Sequence, residues 1–258
     1  MKFEKLSDFE KLSFVSNSLE DIKSYILEES FFNCPQSDFA HQQKHSAFVD
    51  KILGYKIDQL ELSLVRRAKE LYPFGTMKNW GRLMHNGSQS WVGLTPQQLQ
   101  TTYNELWRMC EILNPKPHSS FVDIGAGYGR MALVLNLFSP DAHFVGYEIV
   151  KERVEEGNRM FEFLGLHDAK LLLQDIAEDG FTLPQADYYF MYDFGNSDHI
   201  NIILNQLKVL ADHRTIRVVV RGDYSRHEVQ NFHPWLSQVF EAHHEEKFSV
   251  YSSGSLIP

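Results

Sequence analysis

"FVDIGAGYGRMALVL", Phe121 to Leu135, decides how the rest of the chain is read. An apolar run ends in Asp123. Gly125, Gly127 and Gly129 follow at alternate positions, with Ala126 between the first two, and helix-forming residues then resume. Glycines at such a corner let the backbone turn sharply and come close to a ligand. The helix beyond them aims its N-terminal amides at whatever anion lies there. The spacing is GxGxG. A dinucleotide fingerprint, GxGxxG/A, would need Gly or Ala at 130, where this chain has Arg130, and that counts against NAD or FAD. No Gly-Lys-Ser/Thr follows, which excludes a P-loop.

Working outward, residues from 119 onward alternate short apolar strands with helices. "SSFVDIG", "HFVGYEI", "AKLLLQD", "DYYFMYDF" and "TIRVVVRGD" read as strands; Arg130 to Leu137, Lys151 to Leu164, Asp198 to Leu210 and Ser225 to Leu236 read as helices. That pattern predicts an α/β fold: a three-layer, mainly parallel sheet covered on both faces. "SQVFEAHHEEKFSVYSS" reads as two strands and a turn, an antiparallel hairpin that finishes the sheet. In such sheets ligands bind beyond the carboxyl ends of the strands. Four acids sit there: Asp123, Glu148, Asp175 and Asp193, separated by 25, 27 and 18 residues, about one strand-helix unit each. Glu148 can accept from both hydroxyls of a ribose. Asp175 can accept from an exocyclic amine, with Ile176 as an apolar wall for an adenine face. Asp193 stands at the middle of the sheet, beside the reacting group, and Tyr192 is next to it.

The motifs "FVDIGAGYGR", "GYEIV", "LLLQDI" and "YYFMYDF", in this order and spacing, resemble those of class I S-adenosylmethionine-dependent methyltransferases, over roughly residues 96–258. The resemblance implies a Rossmann-like sheet of seven strands with the terminal hairpin, and S-adenosylmethionine as cofactor. It implies Asp123 and the glycine loop around the methionine part, Glu148 on the ribose and Asp175 on the adenine. "TTYNELWRMCEILNPKPHSSFVDIG" is similar to the segment before the glycine loop in the non-SET histone lysine methyltransferases, which implies that Gln100 and Thr101 approach the methionine end. That subgroup has Glu where Gln100 stands, and Asn-Asn-Phe where Tyr192, Asp193 and Phe194 stand.

The first part of the chain reads as helical. Leu12, Val15, Leu19, Ile22, Tyr25 and Ile26 share one helix face, and a second helical stretch is broken near Gly54 and ends before Pro73. Residues 73–95 then read as a loop or lid by composition, with Trp80, His85 and Trp91 among Gly, Asn and Ser. Trp80, His85, Asn86 and Trp91 either cover the transferred methyl group or pack on the helical part. The expected organisation is a helical cap over 1–95, with the 73–95 loop, and a cofactor-binding domain over 96–258. One helix is expected over about 96–113.

The chain has 258 residues, and its net charge of −9 is uneven: residues 1–95 hold 12 basic and 12 acidic residues, residues 96–258 hold 13 and 22. An acidic domain argues against non-specific binding to phosphate backbones, so nucleic acid is not the expected partner. Cys34 and Cys110 form no CxxC pair, and His41 and His45, one turn apart, lack a third ligand, so no metal is expected. No signal-peptide core and no run of 18 apolar residues are present, which predicts a cytoplasmic protein without a membrane span. The expected activity is methyl transfer to an N or O nucleophile of a small molecule or protein side chain, with Asp193 and Tyr192 as catalytic residues. The alternative is a catalytically inactive binding protein with the same fold, working through its helical N-terminal part.

Overall fold

The computed structural model describes residues 38–85, 87 and 91–254. The helical pattern read over Leu12 to Ile26, and Asn86, lie outside these residues.

Three helices come first: α1 (Phe39–Leu53), α2 (Ile57–Leu71) and α3 (Trp80–Met84). Asp38 starts α1 by accepting from the His41 amide. The second ends at Leu71, two residues before Pro73. Leu64, Ala68, Trp80 and Val92 bury their side chains together with Val150, which anchors this helical cap to the body of the protein.

The single helix expected over 96–113 is two: α4 (Pro96–Leu99) and α5 (Tyr103–Leu113). Each begins with its own capping box, Thr95 with Gln98 and Thr102 with Glu105. Thr102 caps the second helix, so Gln100 must be extended and the chain kinks there.

The remaining order is β1 (Ser120–Ile124), α6 (Arg130–Phe138), β2 (His143–Glu148), α7 (Lys151–Leu164), β3 (Ala169–Leu173), β4 (Tyr188–Tyr192), α8 (Ser197–Ala211), β5 (Arg217–Arg221), α9 (Asp223–Phe232), α10 (Pro234–Ser237), β6 (His243–His244) and β7 (Phe248–Ser252). The helix expected from Ser225 to Leu236 is broken at His233, where Pro234 starts α10. Seven strands form one sheet in the order β3-β2-β1-β4-β5-β7-β6. The first five are parallel, and β7 runs antiparallel to both β5 and β6. The fold is the three-layer, mainly parallel arrangement with a terminal hairpin that the strand pattern predicts, and its seven strands match the Rossmann-like sheet that the resemblance implies.

Alternation along the strands fills two cores. Phe121, Tyr188, Phe190 and Val219 face α1 and α5 to α7. Val122, Ile124, Tyr189, Met191, Val218 and Val220 face α8 to α10. The chain order reverses between β1 and β4, so a crevice opens above their carboxyl ends.

Candidate functional site

A cavity of about 190 Å³ occupies that crevice. Gly125 and Gly127 form part of its wall, both with positive φ, 78° and 57°. A Cβ at Gly125 would stand 2.7 Å from Phe194 Cβ, and one at Gly127 2.7 Å from the Gln100 amide nitrogen. Gly125 is required both by conformation and by space, while at Gly127 the neighbour is the movable end of Gln100.

Glu148, at the end of β2, is 6% exposed and lines the cavity. Its Oε2 accepts from the Gly127 amide at 3.0 Å and its Oε1 from the Val150 amide at 2.9 Å. Each oxygen retains acceptor capacity. Asp175 follows β3, and its Oδ1 accepts from the Ala177 amide at 2.9 Å, closing a tight turn that carries Ile176 and Ala177 to the wall. Tyr147 and Leu99 complete this apolar side.

At the other end stand Tyr192, Asp193, Phe194 and His199. The Tyr192 hydroxyl donates to the Gln98 carbonyl at 3.3 Å, and the Arg221 guanidinium lies 4.0 Å from the centre of its ring. Arg221 in turn reaches Glu105 with two bonds, at 3.2 and 3.0 Å, so it forms an ion pair behind the cavity. Asp193 has φ of 23°, a sparsely populated conformation for a residue with a side chain. Its Oδ1 accepts from the Ser225 amide at 2.8 Å, in the first turn of α9. Its carbonyl accepts from the Trp91 indole at 2.9 Å.

The cavity thus brings together Gln100, Gly125, Gly127, Glu148, Asp175, Ile176, Tyr192 and Asp193. Asp123, Ala126, Gly129 and Thr101 stay off its wall. Ala126 and Gly129 shape the turn: the Ala126 amide donates to Tyr147 and the Gly129 amide to Ala126. The Thr101 carbonyl is taken by Arg130 at 2.9 Å. Asp123 lies in β1, and no described residue donates a hydrogen bond to its carboxyl. Burial, and then the nearby charge of Glu148, push its pKa up to about 7.

Of the loop residues, Trp80 belongs to the core of the cap and Trp91 to the cavity wall. His85 is half-buried away from that wall, with its pKa held down mainly by burial. Arg153, Tyr147, Leu94, Gln98 and His199 line the cavity without having been singled out by sequence. His199 follows β4 within the first turn of a helix, a position that the strand-end rule reaches if extended by one turn. Among the described residues no three His, Cys, Asp or Glu side chains come together to hold a metal ion. No described helix is long and apolar enough to cross a membrane.

The site's chemistry fits S-adenosylmethionine. A glycine cradle admits a close ligand, an unpartnered acid stands behind it, a buried carboxylate keeps open acceptors, and an apolar wall flanks an acid.

No family model matches the chain, and no curated protein matches it. Solved structures similar to it include an RNA methyltransferase from Salinibacter ruber in complex with S-adenosyl-L-homocysteine, 18% identical, covering 62% of this chain and 96% of that one, TM-score 0.46. A SAM dependent methyltransferase from Aquifex aeolicus is 15% identical over 57% and 88% of the two chains, TM-score 0.46. A precorrin-6y C5,15-methyltransferase from Geobacter metallireducens is 14% identical over 63% and 93%, TM-score 0.46.

Proposed function

We propose that the chain is an S-adenosylmethionine-dependent methyltransferase acting on an N or O nucleophile of a small molecule or a protein side chain. One observation carries this reading. Glu148 lies against the glycine turn at the cavity wall, fixed by two backbone amides yet able to accept more hydrogen bonds. That arrangement suits the two adjacent hydroxyls of a ribose.

In this reading Asp175 and Ile176 hold the adenine, and Gly125, Gly127, Gln100 and Asp123 surround the methionine part. S-adenosylmethionine supplies a methyl group on a sulfonium that needs no further activation. The protein's task is then to align the acceptor and exclude water. Tyr192 and Asp193 stand where an acceptor would enter, with His199 beside them. One Asp193 oxygen is committed to Ser225, which leaves the other to orient an acceptor or take its proton.

Calorimetry with S-adenosylmethionine tests the reading. Binding is expected, with strong weakening in Glu148→Ala; no binding at millimolar cofactor overturns it. Methyl transfer from labelled cofactor to panels of amines, hydroxyls, proteins and RNA then identifies the acceptor.

A further inference from the structure

Arg153 sits in the first turn of α7, is 4% exposed, and lines the cavity. Three of its five donors are taken by groups other than Glu148. Nε and Nη2 reach the two oxygens of Glu61, on α2, at 2.8 and 3.2 Å. Nη2 also donates to the Trp91 carbonyl at 2.5 Å. Glu61 is itself 4% exposed and takes a further bond from the Tyr128 hydroxyl at 2.8 Å. The remaining nitrogen, Nη1, stops 3.7 Å from Glu148 Oε1. That is close enough for charge and too far for a hydrogen bond.

The gap matters. A buried carboxylate needs a nearby cation to stay ionised at tolerable cost. A cation in direct contact would occupy the acceptors that a ribose requires. Arg153 meets the first need without incurring the second, because Glu61 and Trp91 hold its fork away. Burial works against the guanidinium's charge, but Glu148 and Glu61 outweigh it and keep its pKa above the ordinary value.

We propose that Glu61 and Arg153 are a positioning pair: Glu61, on the helical cap, holds Arg153 off Glu148, so the cap sets how much of Glu148 is free to receive the ligand. The pair also fixes the strap at Trp91, whose indole reaches across to the Asp193 carbonyl. The inference rests on reading the cavity as a nucleoside site.

The test uses the full chain and S-adenosylhomocysteine as probe, measured by calorimetry. Glu61→Gln keeps the side chain's shape and loses the charge that restrains Arg153. Arg153 is then expected to close on Glu148, weakening the probe by about tenfold, the scale of one charged hydrogen bond. Arg153→Lys should weaken it similarly. The distinguishing result is coupling: Glu61→Gln added to Glu148→Gln should cost no more than about twofold beyond Glu148→Gln alone, since both act through one carboxylate. A merely structural role would let the losses multiply. Where Glu61→Gln fails to fold, Glu61→Asp keeps the charge with a shorter reach; it should give a smaller loss and the same coupling to Glu148→Gln. Parent-like binding in the variants, or multiplied losses, overturns the positioning role alone. Failure of the parent to bind the probe overturns the nucleoside reading beneath it.

Discussion

Arg130 lies against Asp50, 80 residues earlier in the chain, with its Nε donating to Asp50 Oδ1 at 3.0 Å and Nη2 to Oδ2. The Tyr103 hydroxyl donates to the same Oδ1 at 2.9 Å, and the two residues are 4% and 6% exposed. Removing one partner strands a charge in the interior. Asp50→Ala is therefore expected to cost about 3–5 kcal/mol in urea denaturation, while Asp50→Leu with Arg130→Met should recover most of it. A loss of under about 1 kcal/mol for the single variant would mean that water reaches the pair.

Asp123 gives the protein a pH dependence with a definite sign. Its carboxyl titrates at about 7 in the fold, against about 4 when unfolded. Between those values the folded chain binds the extra proton, so Asp123's contribution to stability falls as pH rises through that window and levels off above it. Melting temperatures of the parent and Asp123→Asn across this range should differ by that slope. An ammonium bound beside Asp123 favours its ionised form, so S-adenosylhomocysteine should bind more tightly at about pH 8 than at about pH 6, and Asp123→Asn should lose the trend. Equal pH profiles would remove Asp123 from the site.

The two cavity glycines should fail differently. Alanine at Gly125 meets Phe194 Cβ, an atom fixed to the backbone, at a φ of 78°. A stability loss of about 1–3 kcal/mol is expected. Alanine at Gly127 meets the far end of Gln100, which can swing away. Its φ of 57° is also less costly for alanine, so folding should suffer less. Calorimetry should nevertheless show about tenfold weaker S-adenosylhomocysteine binding, because the Gly127 amide positions Glu148.

Asp193 carries two roles that mutation can separate. Gly222 has φ of 89°, and a Cβ there would collide with the Asp193 carboxylate, which caps α9 through Ser225. Asp193→Ala should cost about 1 kcal/mol, the value of a lost helix cap. Asp193→Asn keeps an accepting oxygen and should melt like the parent. If Asp193→Asn also transfers methyl at the parent's rate once an acceptor is known, Asp193 acts by structure alone.

The glycine corner and Glu148 could be read from the sequence because both depend on local geometry: a turn that excludes side chains and a strand that ends beneath it. In the structure, "DYYFMYDF" puts Tyr188 and Phe190 in one core and Tyr189 and Met191 in the other. Arg153 could not be read this way. Within "KERVEEGNRM" it looks like any charge on a helix surface, and only Glu61, 92 residues away, makes it part of a wall. The break at Gln100 was hidden for a different reason. Residues 96–113 carry good helix formers on both sides of Thr101 and Thr102, but the Thr102 and Glu105 side chains bond to each other's backbone and restart the helix. Arg130 was read as an obstacle to a dinucleotide, but what it pairs with, Asp50 on α1, was out of reach of any local rule.

Two buried ion pairs, Asp50 with Arg130 and Glu61 with Arg153, cross the point near residue 95 where the sequence pattern changes. Both acids come from the earlier segment and both arginines from the later one. A fragment starting at residue 96 would thus inherit Arg130 without its counterion and Arg153 with only Glu148, 3.7 Å away. Shortening the chain to its sheet and helices is not a matter of cutting at a linker; the excised piece would need Arg130 rewritten as an apolar residue before it could stand alone.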